Sequence, residues 1–386
     1  MLNFDMSIPT TIHFGKGKID KLIPSIQQYG SRVLLTYGGK SIKENGLYDA
    51  VTSLLRANTI YFTELGGIKP NPSIDSVRLG VKLCKEQNLD FVLAVGGGSV
   101  IDASKAIAAG ALYDGDPWDF CMRKAMVSKA LRLGTILTLA ATGSEMNGGA
   151  VISNEATMEK RGMGSPLLRP AFSILDPENT YSVPKNQTAA GTADIMSHVF
   201  EQYFSPTADT FVQDRLAEAL LKTCIQYGPI AVNDPKNYAA RAQLMWAGTL
   251  ALNGLLSTGK MGDWSTHMIE HEVSAIYDIT HGTGLAIITP SWMKHVLSET
   301  TLPKFTAFAR NVWNIDETDP MKAAHKAIET MRDFFISLGI EARLRDVGVE
   351  NTRFAEMADK AMAFGPLGNF KKLSKENIIA ILDDSY

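Results

Sequence analysis

The feature that most constrains the fold of this chain is a series of short, mainly apolar segments, several of which are followed by a helical pattern. Some of them end in glycine, as in DFVLAV followed by Gly96-Gly97-Gly98. Segments in which apolar residues are continuous rather than alternating indicate the strands of a parallel sheet covered on both faces. Strands are predicted at 32–37, 59–65, 90–95, 131–140 and 170–177. A helical pattern follows the first strand and reaches to about Leu55, and two further helices are predicted over about 74–87 and over 100–112.

The pattern changes after Pro184. Apolar residues then recur at spacings of three and four, with few strand-like segments between them, which predicts an all-helical region. We therefore expect an α/β dinucleotide-binding domain over 1–184 and an all-helical metal-binding domain over 185–386. The predicted helices lie near 187–204, 208–227, 236–256, 263–276, 320–337 and 350–363.

Composition excludes several classes of protein. With 386 residues, 45% hydrophobic and 20% charged, the chain has the composition of a globular protein of about two domains and not of a disordered one. A net charge of −3 gives no electrostatic reason to expect nucleic acid or a membrane surface as a partner. Three scattered cysteines and the absence of a signal-like N-terminus favour a cytoplasmic protein. The apolar stretch 242–259 is interpreted as a buried helix and not as a membrane span.

A glycine loop is the first candidate binding site. Gly96, Gly97, Gly98 and Ser99 lie between a predicted strand and a predicted helix, with Asp102 in the first helical turn. Glycine lets the backbone approach a ligand closely, and the first N–H groups of a helix attract anions, which favours a phosphate. A P-loop is excluded, because Leu34 stands where that motif needs glycine, and neither GxGxxG after the first strand nor a serine nucleophile elbow is found.

Histidines mark a second candidate site in the helical region. Asp194 and His198 are four residues apart in one predicted helix, and His267 and His271 are four apart in another, so each pair projects from one helix face. His281 lies further along the chain, just before Gly282, where the helical pattern breaks. The set Asp194, His198, His267 and His281 would supply one carboxylate and three imidazoles, which suits Fe²⁺ or Zn²⁺ rather than Mg²⁺ or Ca²⁺.

The two candidate sites together predict hydride transfer. A metal ion that polarises a substrate oxygen, combined with a bound nicotinamide, is what the interconversion of alcohols and aldehydes with NAD(P) requires.

The chain resembles the iron-containing (group III) alcohol dehydrogenases, and within them the branch of NADPH-dependent butanol dehydrogenases and aldehyde reductases. The resemblance covers nearly the whole chain. It is carried by long ordered segments, among them AVGGGSVIDASKAIA (94–108), LTLAATGSEMNGGAVI (137–152), GTADIMSHVFEQYF (191–204) and HMIEHEVSAIYDITHGTGLAI (267–287). It implies a Rossmann-like domain followed by an all-α domain, an architecture shared with dehydroquinate synthase, and a homodimer or larger oligomer.

The resemblance also implies roles for individual residues. The four metal-site residues match the family's ligands, and His271 matches a non-ligand histidine suited to proton relay. The glycine loop matches the family's pyrophosphate loop. Further positions match segments of the family that contact or approach the cofactor: Thr138, Leu139, Thr142, Ser144 and Lys160.

The loop after the first strand of the α/β domain bears on cofactor choice. It contains Gly38, Gly39, Lys40 and Ser41 and no acidic residue, whereas an acid there repels the 2′-phosphate of NADP in NAD-specific relatives. A lysine and a hydroxyl can bind a phosphate, so NADP(H) is favoured over NAD(H).

The sequence thus predicts a metal-dependent, NADP(H)-linked alcohol dehydrogenase or aldehyde reductase for small aliphatic substrates. Two alternatives stay open at this point. One is a lyase of the dehydroquinate synthase type, which uses NAD transiently. The other is a non-catalytic nucleotide-binding protein on the same scaffold.

Overall fold

The computed structural model describes residues 1–386 and divides the chain into two compact units. The first, called the α/β unit here, contains Ser7–Val183 and Pro235–Thr249. The second, the helical unit, contains Met1–Met6, Pro184–Asp234 and Leu250–Tyr386. None of the helices combines the length and the apolar character that a membrane span requires.

The α/β unit is built on six parallel strands in the order β1-β8-β5-β4-β2-β3, and β6 and β7 form a separate antiparallel hairpin. The strands are β1 (Thr11–Phe14), β2 (Arg32–Tyr37), β3 (Tyr61–Leu65), β4 (Phe91–Gly96), β5 (Arg132–Leu137), β6 (Gly149–Asn154), β7 (Glu159–Gly164) and β8 (Phe172–Leu175). Six helices accompany them: α1 (Leu22–Ile26), α2 (Ser41–Glu44), α3 (Leu47–Ala57), α4 (Ile74–Glu86), α5 (Gly98–Gly110) and α6 (Trp118–Cys121).

Helices cover both faces of the sheet, and this explains why a central strand such as β4 is apolar and completely buried. Alternate residues of β4 enter two different cores: Val92 packs in a cluster with residues of α4 and α5, whereas Phe91 and Leu93 pack in one with residues of α1 and α3. This confirms the predicted parallel sheet.

The strand order reverses its direction between β2 and β4, which in open α/β sheets is where a crevice forms beside the carboxyl ends of the strands. From β2 the chain moves outward to β3, and from β4 it moves the opposite way to β5, although β2 and β4 are neighbours that pair Tyr37 with Val95. Ligands of open α/β sheets bind beside the carboxyl ends of strands at such a reversal. The segments that begin at Gly38 and Gly97 leave the sheet at this point.

The helical unit contains no strand that pairs in a sheet. Its helices, with α9 shared between the units, are α7 (Lys185–Tyr203), α8 (Phe211–Asn233), α9 (Tyr238–Ala251), α10 (Ser265–Tyr277), α11 (His281–Val296), α12 (Leu302–Asn311), α13 (Pro320–Ser337), α14 (Phe354–Ala361) and α15 (Lys375–Asp384). The predicted all-helical second region is confirmed.

Helix α9 belongs to the α/β unit through Thr249, although its position in the chain predicts the helical domain. Met245 is fully buried in the core beside α4 and α5, and the Thr249 hydroxyl donates a hydrogen bond to the Glu145 carboxylate (2.5 Å). Its apolar residues thus complete the core of the α/β unit, a long-range arrangement that periodicity does not reveal. The predicted helix over 242–259 ends at Ala251, and positive φ angles at Gly254 and Gly259 follow.

Several elements were not predicted. The strand β1, the β6–β7 hairpin and the helices α11, α12 and α15 are absent from the sequence interpretation. In α11 the sequence pattern is misleading, because Gly282 resembles a helix break although His281 is the first residue of the helix. Gly282 is needed for packing, since a Cβ there would collide with the backbone carbonyl of Ala190 on α7.

The sheet tolerates no side chain at Gly134. This β5 residue pairs with Phe172 on β8, whose buried ring covers the space that a Cβ would occupy and stacks on Phe91 at 5.9 Å. We expect Gly134→Ala to lower the free energy of unfolding by about 1–3 kcal/mol through overpacking. Gly162→Ala is the matched control, because that strand position is exposed and open. Equal thermal unfolding midpoints for the two variants, followed by circular dichroism, would contradict this packing.

Candidate metal and cofactor sites

Helix α7 carries the first pair of candidate metal ligands. Asp194 and His198 are one helical turn apart and both buried, and the distance from Asp194 Oδ1 to His198 Nδ1 is 3.4 Å. The four-residue spacing places them on one face of α7, as the sequence predicts.

Helices α10 and α11 bring the other two candidates to the same place. His267 is the third residue of α10 and His281 is the first residue of α11. The ring centroid of His267 lies 4.7 Å from that of His198 and 5.4 Å from that of His281, and His281 Nε2 lies 3.9 Å from Asp194 Oδ1. Potential ligand atoms of Asp194, His267 and His281 all lie within 4.8 Å of one another.

The donor atoms of this cluster fit a divalent cation. Asp194 Oδ1, His198 Nδ1 and His267 Nε2 are buried and make no hydrogen bond. A buried polar atom without a partner costs about 1–3 kcal/mol, so three of them in one place are suited to binding a cation. Burial lowers the pKa of His198 to about 4, which keeps the imidazole in the neutral form that binds metals. One carboxylate with imidazoles suits iron or zinc equally.

Two glutamates that the sequence interpretation did not place in the site lie directly behind the histidines. Glu201 Oε1 lies 3.1 Å from His267 Nδ1, and Glu270 Oε2 is hydrogen-bonded to His281 Nδ1. Glu201 follows His198 by three residues, which is a detectable helical signal. Glu270 pairs with a residue on a different helix, and no local spacing reveals that.

His271 and Trp264 border the cluster. The buried His271 ring has its centroid 5.5 Å from that of His281 and 6.5 Å from that of His267, so it lies beside the candidate ligands. The half-buried Trp264 ring lies 5.5 Å from the His267 ring and provides an apolar surface there. Ile269, two residues after His267 on α10, is buried in the core.

In the α/β unit, the glycine loop is packed against the segment after β5. Gly97 is the N-cap of α5, and the helix begins at Gly98. A Cβ on Gly97 would lie 3.0 Å from Leu139 Cβ, and one on Gly98 would lie 2.5 Å from Thr142 Oγ1. The backbone N–H of Thr138 donates to the Gly96 carbonyl (3.1 Å). The predicted cofactor-binding residues that follow β4 and those that follow β5 are therefore adjacent.

Asp102 and Ser144 meet next to this loop. The Ser144 hydroxyl donates to Asp102 Oδ1 (2.5 Å), and the backbone N–H of Val151 donates to Asp102 Oδ2 (2.9 Å). Both carboxylate oxygens of Asp102 are thus used to hold the neighbouring turn and strand β6. In this structure the side chain of Asp102 positions the loop.

Lys105 completes the same network and was missed at the sequence level. Its ammonium group donates to Ser144 Oγ (2.7 Å), Asn147 Oδ1 (2.9 Å) and the Gly149 carbonyl (2.7 Å). Complete burial lowers the pKa of Lys105 to about 8. In an amphipathic helix a lysine is normally exposed, so the sequence gives no sign of this role.

The remaining predicted cofactor residues lie at separate points of the α/β unit. Gly38 follows β2 beside the glycine loop, and a Cβ on it would lie 3.6 Å from Val100 of α5. Lys40 and Ser41 are exposed at the start of α2. Lys160 is buried on β7, opposite Ser153 of β6.

Two family models match the chain. The iron-containing alcohol dehydrogenase model matches residues 9–177, and the C-terminal model of the Fe-containing alcohol dehydrogenase family matches residues 188–386.

Individual relatives agree with the family models. The chain is 54% identical to NADH-dependent butanol dehydrogenase A of Clostridium acetobutylicum, with all of both chains covered. It is 42% identical to the NADPH-dependent aldehyde reductase YqhD of Escherichia coli, over 95% of this chain and 94% of the relative. The crystal structure of NADH-dependent butanol dehydrogenase A from Thermotoga maritima superimposes with a TM-score of 0.96 at 38% identity, covering 100% of this chain and 99% of that one. The chain therefore belongs to the iron-containing alcohol dehydrogenase family and is an oxidoreductase.

Proposed function

We propose that the protein is a metal-dependent alcohol dehydrogenase and aldehyde reductase that acts on small aliphatic substrates with NADP(H). The observation that carries the proposal is the cluster of buried, unpartnered donor atoms on Asp194, His198 and His267, with His281 beside them. The names of relatives as butanol dehydrogenases and as an aldehyde reductase support the substrate class. The family resemblance further supports a homodimer as the active form, which light scattering of the purified protein can test.

Asp194, His198, His267 and His281 are proposed to hold one divalent ion, Fe²⁺ or Zn²⁺. When bound, that ion would polarise the carbonyl oxygen of an aldehyde, and a reduced nicotinamide would supply hydride to its carbon. Helices α7, α10 and α11 hold the four side chains in place before a ligand arrives, which limits the reorganisation that binding requires.

Other residues of the helical unit are proposed to act on the substrate itself. The Trp264 ring offers an apolar wall to a short alkyl chain and excludes water from it. His271, buried next to the ligand histidines, is proposed to deliver the proton that the product alcohol gains in the reducing direction.

The α/β unit is proposed to bind the dinucleotide at the crevice between β2 and β4. The N-terminus of α5 would bind the pyrophosphate, because the first N–H groups of a helix have no intrahelical acceptor and can donate to its oxygens. As the family resemblance implies, Thr138 and Leu139 are proposed to contact the cofactor, and Lys160 to lie near its ribose. Thr142 and Ser144 are proposed to belong to the segment that approaches the cofactor. The exposed Lys40 and Ser41 follow β2, where they could bind a 2′-phosphate.

Cofactor preference needs its own test, because the named relatives differ: butanol dehydrogenase A is called NADH-dependent and YqhD is called NADPH-dependent. The absence of an acidic residue at Gly38–Ser41 supports NADP(H). In Lys40→Asp we expect kcat/KM with NADPH to fall about tenfold or more, since a charge-assisted hydrogen bond contributes about 1.5–3 kcal/mol. The value with NADH should change little. Lys129→Asp, an equal charge change at an exposed site, is the control. An unmodified protein that uses NADH better than NADPH would overturn this preference.

The metal assignment is tested by His267→Ala. We expect loss of bound metal and a fall in aldehyde reduction of at least about 10²–10³-fold, the loss seen when one oxyanion-stabilising donor is removed from an enzyme. Binding of NADPH, followed by its fluorescence, should persist. Elemental analysis and the rate of NADPH consumption with butanal are the measurements. His325→Ala, at an exposed histidine, should change neither. Normal metal content and turnover in His267→Ala would reject the assignment.

The role of His271 is tested separately from metal binding. In His271→Ala we expect the metal content to be retained while kcat for aldehyde reduction falls by about 10²-fold or more, the usual contribution of a general acid. Unchanged kcat with full metal content would show that another group supplies the proton.

A further inference from the structure

Two carboxylates lie behind the candidate metal ligands, on the side of the imidazole rings away from Asp194. Glu201, on α7, and Glu270, on α10, are both completely buried. Each contacts the Nδ1 atom of a candidate ligand: Glu201 that of His267 (3.1 Å) and Glu270 that of His281. Neither glutamate is among the four residues proposed to hold the ion.

These contacts determine which ring nitrogen carries the proton. A neutral imidazole has one N–H donor and one lone pair, and an ionised carboxylate can only accept. A hydrogen bond between Nδ1 and a glutamate therefore places the proton on Nδ1 and the lone pair on Nε2. In His267 the Nε2 atom is buried without a hydrogen bond, and in His281 it lies 3.9 Å from Asp194 Oδ1. Both Nε2 atoms thus lie within the candidate ligand cluster.

Glu201 also fixes the start of the helix that carries His267. Its Oε1 atom accepts the backbone N–H of His267 (3.0 Å) and the hydroxyl of Thr266, and its backbone carbonyl accepts the N–H of Asp263 (2.7 Å). A carboxylate at a helix N-terminus is favoured by the helix dipole and by the unpaired N–H groups there. One side chain of α7 therefore sets both the position of α10 and the orientation of the His267 ring.

Glu270 is held in an equally specific way. Its Oε1 atom accepts the hydroxyl of Ser274 one turn later, which directs Oε2 to His281. Gly284 of α11 leaves room for it, since a Cβ there would lie 2.8 Å from Glu270 Cγ. The two glycines of the segment His281–Gly284 thus have separate tasks, Gly282 for the approach of α11 to α7 and Gly284 for the glutamate.

We propose that Glu201 and Glu270 are positioning residues that select the Nδ1–H tautomer of His267 and His281 and orient Nε2 of both rings toward a shared cation. The inference rests on the proposed metal-dependent function and extends it to residues that hold the ligands. Partners of this kind typically change metal affinity by about 10–100-fold when they are removed.

Metal affinity is the first measurement. Zn²⁺ dissociation constants, from competition with a chromophoric chelator, are expected to rise about 10–100-fold in Glu201→Ala and in Glu270→Ala. Glu201→Gln keeps an acceptor at Oε1 and replaces the Oε2 atom that makes no hydrogen bond, so its affinity is expected to stay closer to that of the unmodified protein. Glu218→Ala is the control, because this buried carboxylate of the same unit bonds Tyr203 and Asn311 instead. The Glu218→Ala variant should be less stable than the unmodified protein but should bind Zn²⁺ with the same affinity.

Metal affinity in both alanine variants equal to that of Glu218→Ala would overturn the proposal and leave only a structural role. Equal losses in Glu201→Gln and Glu201→Ala would overturn ring orientation as the cause. Absorption spectra of the Co²⁺-loaded variants provide a further signature, since rotated imidazoles change the ligand field. An unmodified protein that takes up neither Zn²⁺ nor Co²⁺ would instead refute the proposed metal-dependent function.

A second measurement decides the proposal even if the alanine variants do not fold. The chain has seven histidines, so the ring nitrogens can be followed by ¹⁵N NMR in metal-free protein labelled at histidine, with His267→Gln and His281→Gln for assignment. We expect both rings as Nδ1–H tautomers, and in Glu270→Leu, which removes the acceptor, a loss of this preference in His281 only. Protonation at Nε2 of either ring in the unmodified protein would refute the inference, whatever the metal content.

Discussion

The helical unit is constrained by a set of polar atoms that are buried without a hydrogen-bond partner in the folded chain. Asp194 Oδ1, His198 Nδ1 and His267 Nε2 are removed from water without compensation, which costs free energy that the surrounding helices must supply. Such an arrangement persists in a folded protein when it is stabilised by something bound, as in metalloproteins whose ligand binding contributes to folding. The stability of this unit and its proposed chemistry are therefore coupled.

The α/β unit differs in this respect, because polar side chains beside the glycine loop bond to one another. Lys105 connects Ser144, Asn147 and the Gly149 carbonyl, and Ser144 in turn bonds to Asp102. This network fixes the turn after β5 against the start of α5 and leaves the backbone of the loop as the surface for a ligand. A rigid loop loses less conformational entropy when a dinucleotide binds.

Sequence patterns predicted the parts of the fold and site that depend on local repetition. The apolar strands and the Asp194/His198 pair follow from periods that a single element imposes on its residues. Glu270 and Lys105 were not predicted because their partners lie on other elements. Residue type alone also does not show whether a charged side chain is buried or exposed. His281 was placed at a break in the pattern because Gly282 resembles a helix stop, whereas its lack of a side chain serves the approach to Ala190. The family models and relatives also remove the two alternatives, a lyase and a non-catalytic protein, in favour of an alcohol dehydrogenase.

Because most of α9 belongs to the α/β unit, this unit cannot be isolated as one continuous fragment of the chain. The chain passes from one unit to the other at Met6, Val183, Asp234 and Thr249. A fragment that stops at residue 184 would contain every strand of the sheet but would lack Met245 in its core and the Thr249 hydroxyl that bonds to the buried Glu145. The α/β unit is thus encoded in two separated pieces of the gene, and recombination between relatives must exchange both pieces together to preserve it.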